Sequence, residues 1–322
     1  MKKTLVLAMC LILVMSALFV GCGSSETLKF GMGVYSSTPA VADATADKEG
    51  TGKIDVTVAA VTVDANGKIV ACALDTASNT VKFTNDGKAV AATEFKTKYE
   101  LGKDYNMVKE GAKKEWFEQA DAFEALVAGK TLDEVKALVG EGNKGTDEVV
   151  NAGCTIMINE FVAAIEKAYN AAAESNVTAE NTLKVTAATE QTCTDATADK
   201  DGSNKVSTTV FAAAVDKDGK VVAASSDCVE VTFTFDTKGV ATLDTSKAIS
   251  SKKEAGTNYG MVKAGAKKEW FEQAAAFDAA CIGKTADEIA GFVGEDGKGT
   301  ADIQSAGCTI YVTGFVKAAS KI

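Results

Sequence analysis

Residues 111–120 read GAKKEWFEQA, and the same ten letters return unchanged at 265–274. A second stretch, AGCTI at 152–156, returns at 306–310. Both pairs are separated by 154 residues (111 to 265, and 152 to 306), so the chain between them is repeated without a change in length. The sequence therefore predicts two homologous tandem repeats, and the identical stretches are candidates for a shared core or a shared site.

Ahead of the first identical stretch, each repeat alternates apolar and polar residues and carries tight-turn signals. Asn-Gly at 66–67 and Asp-Gly at 218–219 supply the positive φ angles that short hairpins require. This pattern predicts an antiparallel meander in each repeat. The predicted strands are 54–63, 69–74 and 81–83 in the first repeat, and 206–215, 221–225 and 229–235 in the second.

The second half of each repeat changes to helical spacing, beginning at Trp116 and at Trp270. A capping box follows in each repeat, TLDE at 131–134 and TADE at 285–288, and predicts a short helix. A closing helix is expected after AGCTI, over about 161–173 and 315–319. Strands followed by helices predict an α+β fold in both repeats. The predicted boundaries are a signal peptide at 1–21, a tether at 22–26, repeat 1 at 27–169, a linker at 170–181 and repeat 2 at 182–322.

The N-terminus has the features of a secretory signal, with lysines at positions 2 and 3, an apolar run over 4–20 and then Gly21 and Cys22. This ending resembles the lipobox of bacterial lipoproteins, in which the cysteine is lipidated. Cys22 is therefore the expected lipidation site, and the protein is expected on the extracellular face of the cell membrane. The alternative is a transmembrane anchor, for which the run is short because a bilayer span takes about 20 residues.

Composition excludes several classes of function. The formal net charge is −10 and the chain contains neither histidine nor arginine, which argues against nucleic acid as a partner. The lack of histidine removes the usual catalytic triads and most zinc sites, and no metal site is predicted. Only Cys154 and Cys308 are equivalent cysteines, which does not suggest a shared disulfide framework. A bridge between Cys193 and Cys228 of the second repeat is left open.

The hairpin-rich layout, the segments KYELG at 98–102 and KKEAG at 252–256, and a late Gly-x-Thr before the closing helix resemble the FMN-binding domain family. Members occur in flavin-bearing subunits of membrane oxidoreductases and in surface lipoproteins of Gram-positive bacteria. In that family a flavin transferase joins FMN, through its phosphate, to a threonine hydroxyl. The resemblance implies Thr155 and Thr309 as flavin-accepting residues, and Gly153 and Gly307 as the glycines of the motif.

On this resemblance the protein is an electron carrier rather than an enzyme, with a flavin transferase and a membrane electron donor as partners. The chain departs from the family motif, because Ala152 and Ala306 replace a hydroxyl residue, and Cys154 and Cys308 replace alanine. A small glycine lets backbone approach a phosphate, which fits the implied chemistry.

Other interpretations of the same residues remain open. Thr155 and Thr309 are equally explained as structural residues of a buried strand that leads into a helix. Trp116 and Trp270 are candidates for stacking on a flavin, although aromatic residues at helical spacing more often anchor a core. The segments 105–107 and 259–261 could line a pocket or form a turn. The alternative function is a cofactor-free surface lipoprotein that binds a ligand or protein, or a structural surface repeat.

Overall fold

The computed structural model describes residues 26–37 and 40–322. It confirms the α+β class, with helices packed on antiparallel sheets. The signal peptide and the lipidation site Cys22 lie outside the described residues.

Sheet 1 is formed by repeat 1 and the segment that follows it. Its strand order is β5-β4-β3-β1-β6, and β2 also pairs with β3, all antiparallel. The strands are β1 (Leu28–Ser36), β2 (Ala40–Ala42), β3 (Gly50–Val63), β4 (Ile69–Phe83), β5 (Ala89–Val90) and β6 (Ala173–Val177). Sheet 2 belongs to repeat 2, with the order β7-β8-β9. Its strands are β7 (Thr182–Thr194), β8 (Gly202–Val215) and β9 (Val221–Phe235).

The helices follow the strands in both repeats. Repeat 1 has α1 (Lys98–Leu101), α2 (Trp116–Val127), α3 (Leu132–Lys136), α4 (Asp147–Ala152) and α5 (Asn159–Asn170). Repeat 2 has α6 (Lys252–Ala255), α7 (Trp270–Cys281), α8 (Ala286–Ala290), α9 (Ala301–Ala306) and α10 (Thr313–Ala319). Short 3-10 turns lie at Gly102–Tyr105, Glu141–Asn143 and Gly256–Tyr259.

The elements stack in four layers, helix, sheet, sheet and helix. Alternate side chains of β3 point to opposite faces, so Val56 and Val58 enter a core between the sheets while Ala59 and Val61 enter a core under the helices. Because both faces are covered, β3 is buried continuously from Val56 to its end, and β8 has the same pattern. The core between the sheets contains residues of both repeats, so each repeat covers one face of the other's sheet.

The contact between the repeats is nearly two-fold symmetric. Phe83 stacks on Phe235, which occupies the equivalent strand position, with ring centroids 4.5 Å apart and planes 4° from parallel. The backbone bonds are reciprocal as well. The N–H of Ala44 donates to the carbonyl of Gly239 at 2.8 Å, and the N–H of Ala196 donates to the carbonyl of Gly87 at 2.7 Å. An isologous contact of this kind uses one surface patch twice.

Several sequence predictions require correction. The two short strands expected over 69–74 and 81–83 are one strand, β4, and their counterparts merge into β9. The expected linker at 170–181 contains β6, which pairs with β1. AGCTI is not a strand. Its first residue ends a helix and the rest forms a turn before α5 or α10.

Candidate functional site

The two identical stretches meet in space, and buried polar side chains join them. Glu115, at the start of α2, accepts hydrogen bonds from the backbone N–H groups of Met107 and Val108 at 2.9 and 3.3 Å. One turn later, the Gln119 side chain donates to the carbonyl of Lys114 at 3.1 Å. Glu269 and Gln273 make the same bonds in repeat 2. These shared hydrogen bonds hold one wall of the site together, and they explain why the stretch has the same sequence in the two repeats.

Gln119 also fixes the predicted flavin-accepting threonine. Its side-chain oxygen accepts from the Thr155 backbone N–H at 2.8 Å and from the Thr155 hydroxyl at 2.9 Å. Gln273 holds Thr309 in the same way, with both distances 2.9 Å. Both threonines are exposed to solvent. These bonds are those of a structural residue, and they occupy the hydroxyl that covalent flavinylation would use.

The predicted motif glycines have a conformational role. Gly153 ends α4 with φ of 108°, a left-handed conformation that favours glycine, and a Cβ added there would lie 2.3 Å from Lys114 Nζ. Gly307 ends α9 with φ of 109° and lies equally close to Lys268. Each glycine therefore lets a lysine ammonium lie directly over the backbone, two residues before the threonine.

Next to these glutamine–threonine bonds, each repeat forms a cleft of about 460 Å³ between the sheet and the helices. The two clefts are built from equivalent residues. In repeat 1 the shared lining is Lys98, Tyr105, Met107, Trp116, Ile156 and Phe161, and in repeat 2 it is Lys252, Tyr259, Met261, Trp270, Ile310 and Phe315. The segments at 105–107 and 259–261 therefore do line a pocket.

A lysine lies at the base of each cleft against aromatic rings. Lys98 Nζ is 5.5 Å from the ring centroid of Tyr105 and 5.7 Å from that of Trp116, which are cation–π distances. The matching distances from Lys252 Nζ are 5.2 Å to Tyr259 and 5.7 Å to Trp270. The lysine side chains are only 13% and 15% exposed, so a group entering the cleft meets an ammonium already shielded from water.

Each lysine has a carboxylate partner, but the carboxylate comes from a different strand in the two repeats. Lys98 Nζ is 3.8 Å from Asp55 on β3, whose cross-strand neighbour on β4 is Ser78. In repeat 2 the serine, Ser207, is on β8, and the acid, Glu230, is its neighbour on β9, 3.3 Å from Lys252 Nζ. The serine donates to the acid in both pairs. Acid and serine have exchanged strands while the ion pair has been retained.

The rim of each cleft carries a large exposed side chain. Met157 is 63% exposed and the equivalent Tyr311 is 69% exposed. Thr155 and Thr309 do not line the clefts, although each immediately precedes a lining isoleucine. Trp116 and Trp270 are almost fully buried and contact Phe161 and Phe315 respectively, so they anchor the core and also form part of the cleft wall.

Sequence reasoning missed Gln119 and Gln273, although both lie inside the identical stretches and could have been found there. It also missed that the acid is on the third strand in repeat 1, as Asp55, and on the neighbouring strand in repeat 2, as Glu230. Only the strand register shows that each acid lies opposite a serine. Cys193 and Cys228 are unpaired, which excludes the bridge left open above. In residues 26–37 and 40–322, no three side chains of the metal-binding types lie together. Within the same ranges, no helix combines the length and apolar character needed to span a bilayer.

Comparison with protein-family models, with curated proteins and with solved structures finds no match for this chain. The FMN-binding resemblance therefore rests on the quoted residues alone and remains a prediction.

Proposed function

We propose that the protein is a binding protein in which the two equivalent clefts each hold one flat, partly apolar ligand. The observation that carries this proposal is the retained lysine–carboxylate pair. Duplication preserves residues at equivalent positions, but it does not by itself move an acid to the opposite strand and keep it beside the same lysine. A functional need for a lysine–carboxylate pair at the base of the cleft accounts for both the move of the acid and its retention beside the lysine.

The lining indicates the class of ligand. Tryptophan, tyrosine, methionine and isoleucine walls favour a planar ring, and the shielded ammonium can donate to a carbonyl or anionic group on it. The isoalloxazine ring of FMN has these properties, so FMN is the first candidate. The cofactor would carry the redox chemistry, and the protein would position it and exclude water. The protein is then an electron carrier that receives electrons from a membrane donor.

Covalent attachment at Thr155 and Thr309 is the stronger form of this proposal. In its favour, both threonines are exposed residues, and Lys114 and Lys268 supply ammonium groups over the neighbouring glycines, where a phosphate would lie. Attachment requires each hydroxyl to give up its bond to glutamine. A flavin transferase would be the partner. Lipidation at Cys22 would hold the carrier at the extracellular face of the membrane.

The test is to express the mature chain with and without a flavin transferase, and to measure intact mass and flavin fluorescence in a denaturing gel. One or two FMN additions, lost in Thr155→Ala and Thr309→Ala, would support covalent attachment. Flavin that co-purifies but is released on denaturation would support non-covalent binding in the clefts and reject covalent attachment at the threonines. Colourless protein of unmodified mass, with no affinity for added FMN, would reject both.

The second candidate is a cofactor-free surface lipoprotein that binds a protein or polymer. The exposed Met157 and Tyr311 favour it, because an apolar side chain at the rim of a cleft suits a macromolecular contact. A colourless protein whose Met157→Ser and Tyr311→Ser variants lose binding to cell-surface polymers would favour this candidate.

A further inference from the structure

A third cavity, separate from the two clefts, opens between the repeats, where β4 of sheet 1 lies beside β7 of sheet 2. We call it the inter-repeat groove, and its volume is about 310 Å³. Its walls are the β4 residues 73–75, the β7 residues 183–187, side chains from α1 and α2, and the side chains of Thr97 and Lys321. Those that matter below are Asp75, Tyr99, Glu124, Leu183, Val185 and Lys321.

The two-fold relation gives this groove a counterpart between β9 and β1, where 30–34 of β1 correspond to 183–187 of β7. At one end of that counterpart β6 pairs with β1 through Leu28, Lys29 and Phe30. The β1 side chains facing the sheet interface are also larger than their β7 equivalents: Phe30, Met32 and Val34 stand where β7 has Leu183, Val185 and Ala187. The molecule therefore already holds an extended segment against one of the two equivalent edges.

On the equivalent edge of β7, the main-chain groups of Leu183 and Val185 are open. Lys321 Nζ donates to the carbonyl of Ala187 at 2.7 Å, so the main-chain groups of Ala187 point away from β8. Because outward-facing residues alternate along an antiparallel strand, Leu183 and Val185 point their N–H and C=O groups the same way. Among the described residues no strand pairs with them. Free edge groups of this kind are a template for adding a strand.

Although Lys184 and Lys321 also line the groove, no cation in the described part of the chain lies beside Glu124 as one does beside its counterpart Asp278. In repeat 2, Lys253 Nζ lies 3.8 Å from Asp278 and donates to Ser225 at 2.9 Å. The equivalent residues in repeat 1 are Tyr99, whose hydroxyl is turned away onto Asp121, and Glu124. Lys321 is already paired with Glu100 at 2.7 Å.

Burial raises the pKa of Asp75 to about 6 and that of Glu124 to about 8. Burial also raises the pKa of the counterparts Asp227 and Asp278, but there the charge of Lys253 lowers it, and no described lysine does so for Asp75 or Glu124.

We propose that the inter-repeat groove binds an extended segment of a partner polypeptide, which pairs antiparallel with β7 and directs a lysine or arginine side chain to Asp75 and Glu124. The main-chain bonds give the segment its direction and register, as they do for β6 on β1. The basic side chain takes the place that Lys253 holds in repeat 2. The groove does not involve the clefts, so this proposal stands or falls independently of the proposed function.

The probe is a fluorescein-labelled six-residue peptide of alternating valine and threonine with one central lysine, titrated onto the mature chain by fluorescence anisotropy. A matched peptide carries glutamine in place of lysine. We expect saturable binding that is about tenfold weaker for the glutamine peptide, since one charge-assisted contact is lost. Amide hydrogen exchange should show new protection at Leu183 and Val185.

Two variants provide separate checks. Tyr99→Lys places in repeat 1 the residue that folds at the equivalent position of repeat 2, and should abolish the preference for the lysine peptide. Glu124→Gln retains the acceptor for the Leu74 N–H and should reduce the affinity for the lysine peptide about tenfold. No binding of the lysine peptide, equal affinity in Tyr99→Lys, or protection on strands other than β7 would each overturn the proposal.

Discussion

Replacing Gln119 with leucine tests whether the identical stretches are held by structure or by a cofactor. Gln119 is 1% exposed, and its side chain makes three hydrogen bonds, two with Thr155 and one with the carbonyl of Lys114. Leucine has a similar volume but can make none of them. At about 1 kcal/mol for each bond, Gln119→Leu should lower the free energy of unfolding by about 3 kcal/mol.

Two further variants calibrate that value. Thr155→Val removes only the hydroxyl bond and should cost about 1 kcal/mol. Gln304→Leu is the control, because Gln304 is exposed and makes a single bond to the carbonyl of Gly299, so its loss should cost less than about 1 kcal/mol. Gln273→Leu should match Gln119→Leu, since the bonds of repeat 2 are the same.

The assay is urea unfolding of the flavin-free protein, followed by tryptophan fluorescence. Each repeat contains one tryptophan, Trp116 or Trp270, so replacing either with phenylalanine lets the other report its own repeat. Because the repeats share the core between the sheets, both signals should shift together. A cost below about 0.5 kcal/mol for Gln119→Leu would refute the structural role of the glutamine.

Three other predictions follow from the packing and the buried acid. Phe83→Ala should lower the free energy of unfolding in urea by about 3 to 5 kcal/mol. The double variant with Phe235→Ala should cost less than the sum of the two single variants, because the two rings contact each other. Gly31→Ala should lower the melting temperature sharply, since the new Cβ would lie 2.1 Å from the carbonyl oxygen of Ala168. Burial raises the pKa of Glu124 to about 8, so the folded protein holds a proton that the unfolded chain releases. Stability should therefore fall between about pH 5 and about pH 8, and Glu124→Gln should flatten that slope.

The features that follow local rules could be predicted from the sequence. The helix that begins at Trp116, the capping boxes at 131–134 and 285–288, and the hairpin turns all depend on residues close together in the chain. The α+β class follows from the same signals. The repeat itself needed no structural information, since two identical stretches at one spacing imply it.

What the sequence did not reveal depends on contacts between the repeats. The polar residues within 75–79 interrupted the predicted strand. They nevertheless lie in β4 because buried partners satisfy them, as when Asn79 donates to Thr208 of repeat 2 at 2.8 Å. The glycines of β1 hid this strand from the sequence pattern. They are needed because the backbone of α5 lies directly against the strand. In the site, the clefts and the exchanged carboxylate depend on strand register, which residue spacing alone does not give.

The most direct test of the central claim, two equivalent ligand clefts, is the stoichiometry of FMN binding by isothermal titration calorimetry. Met107→Trp and Met261→Trp each fill one cleft without touching the threonines. The predicted result is two sites in the unmodified chain, one in each single variant and none in the double variant. No binding of FMN, or binding that is unchanged in the double variant, would contradict it.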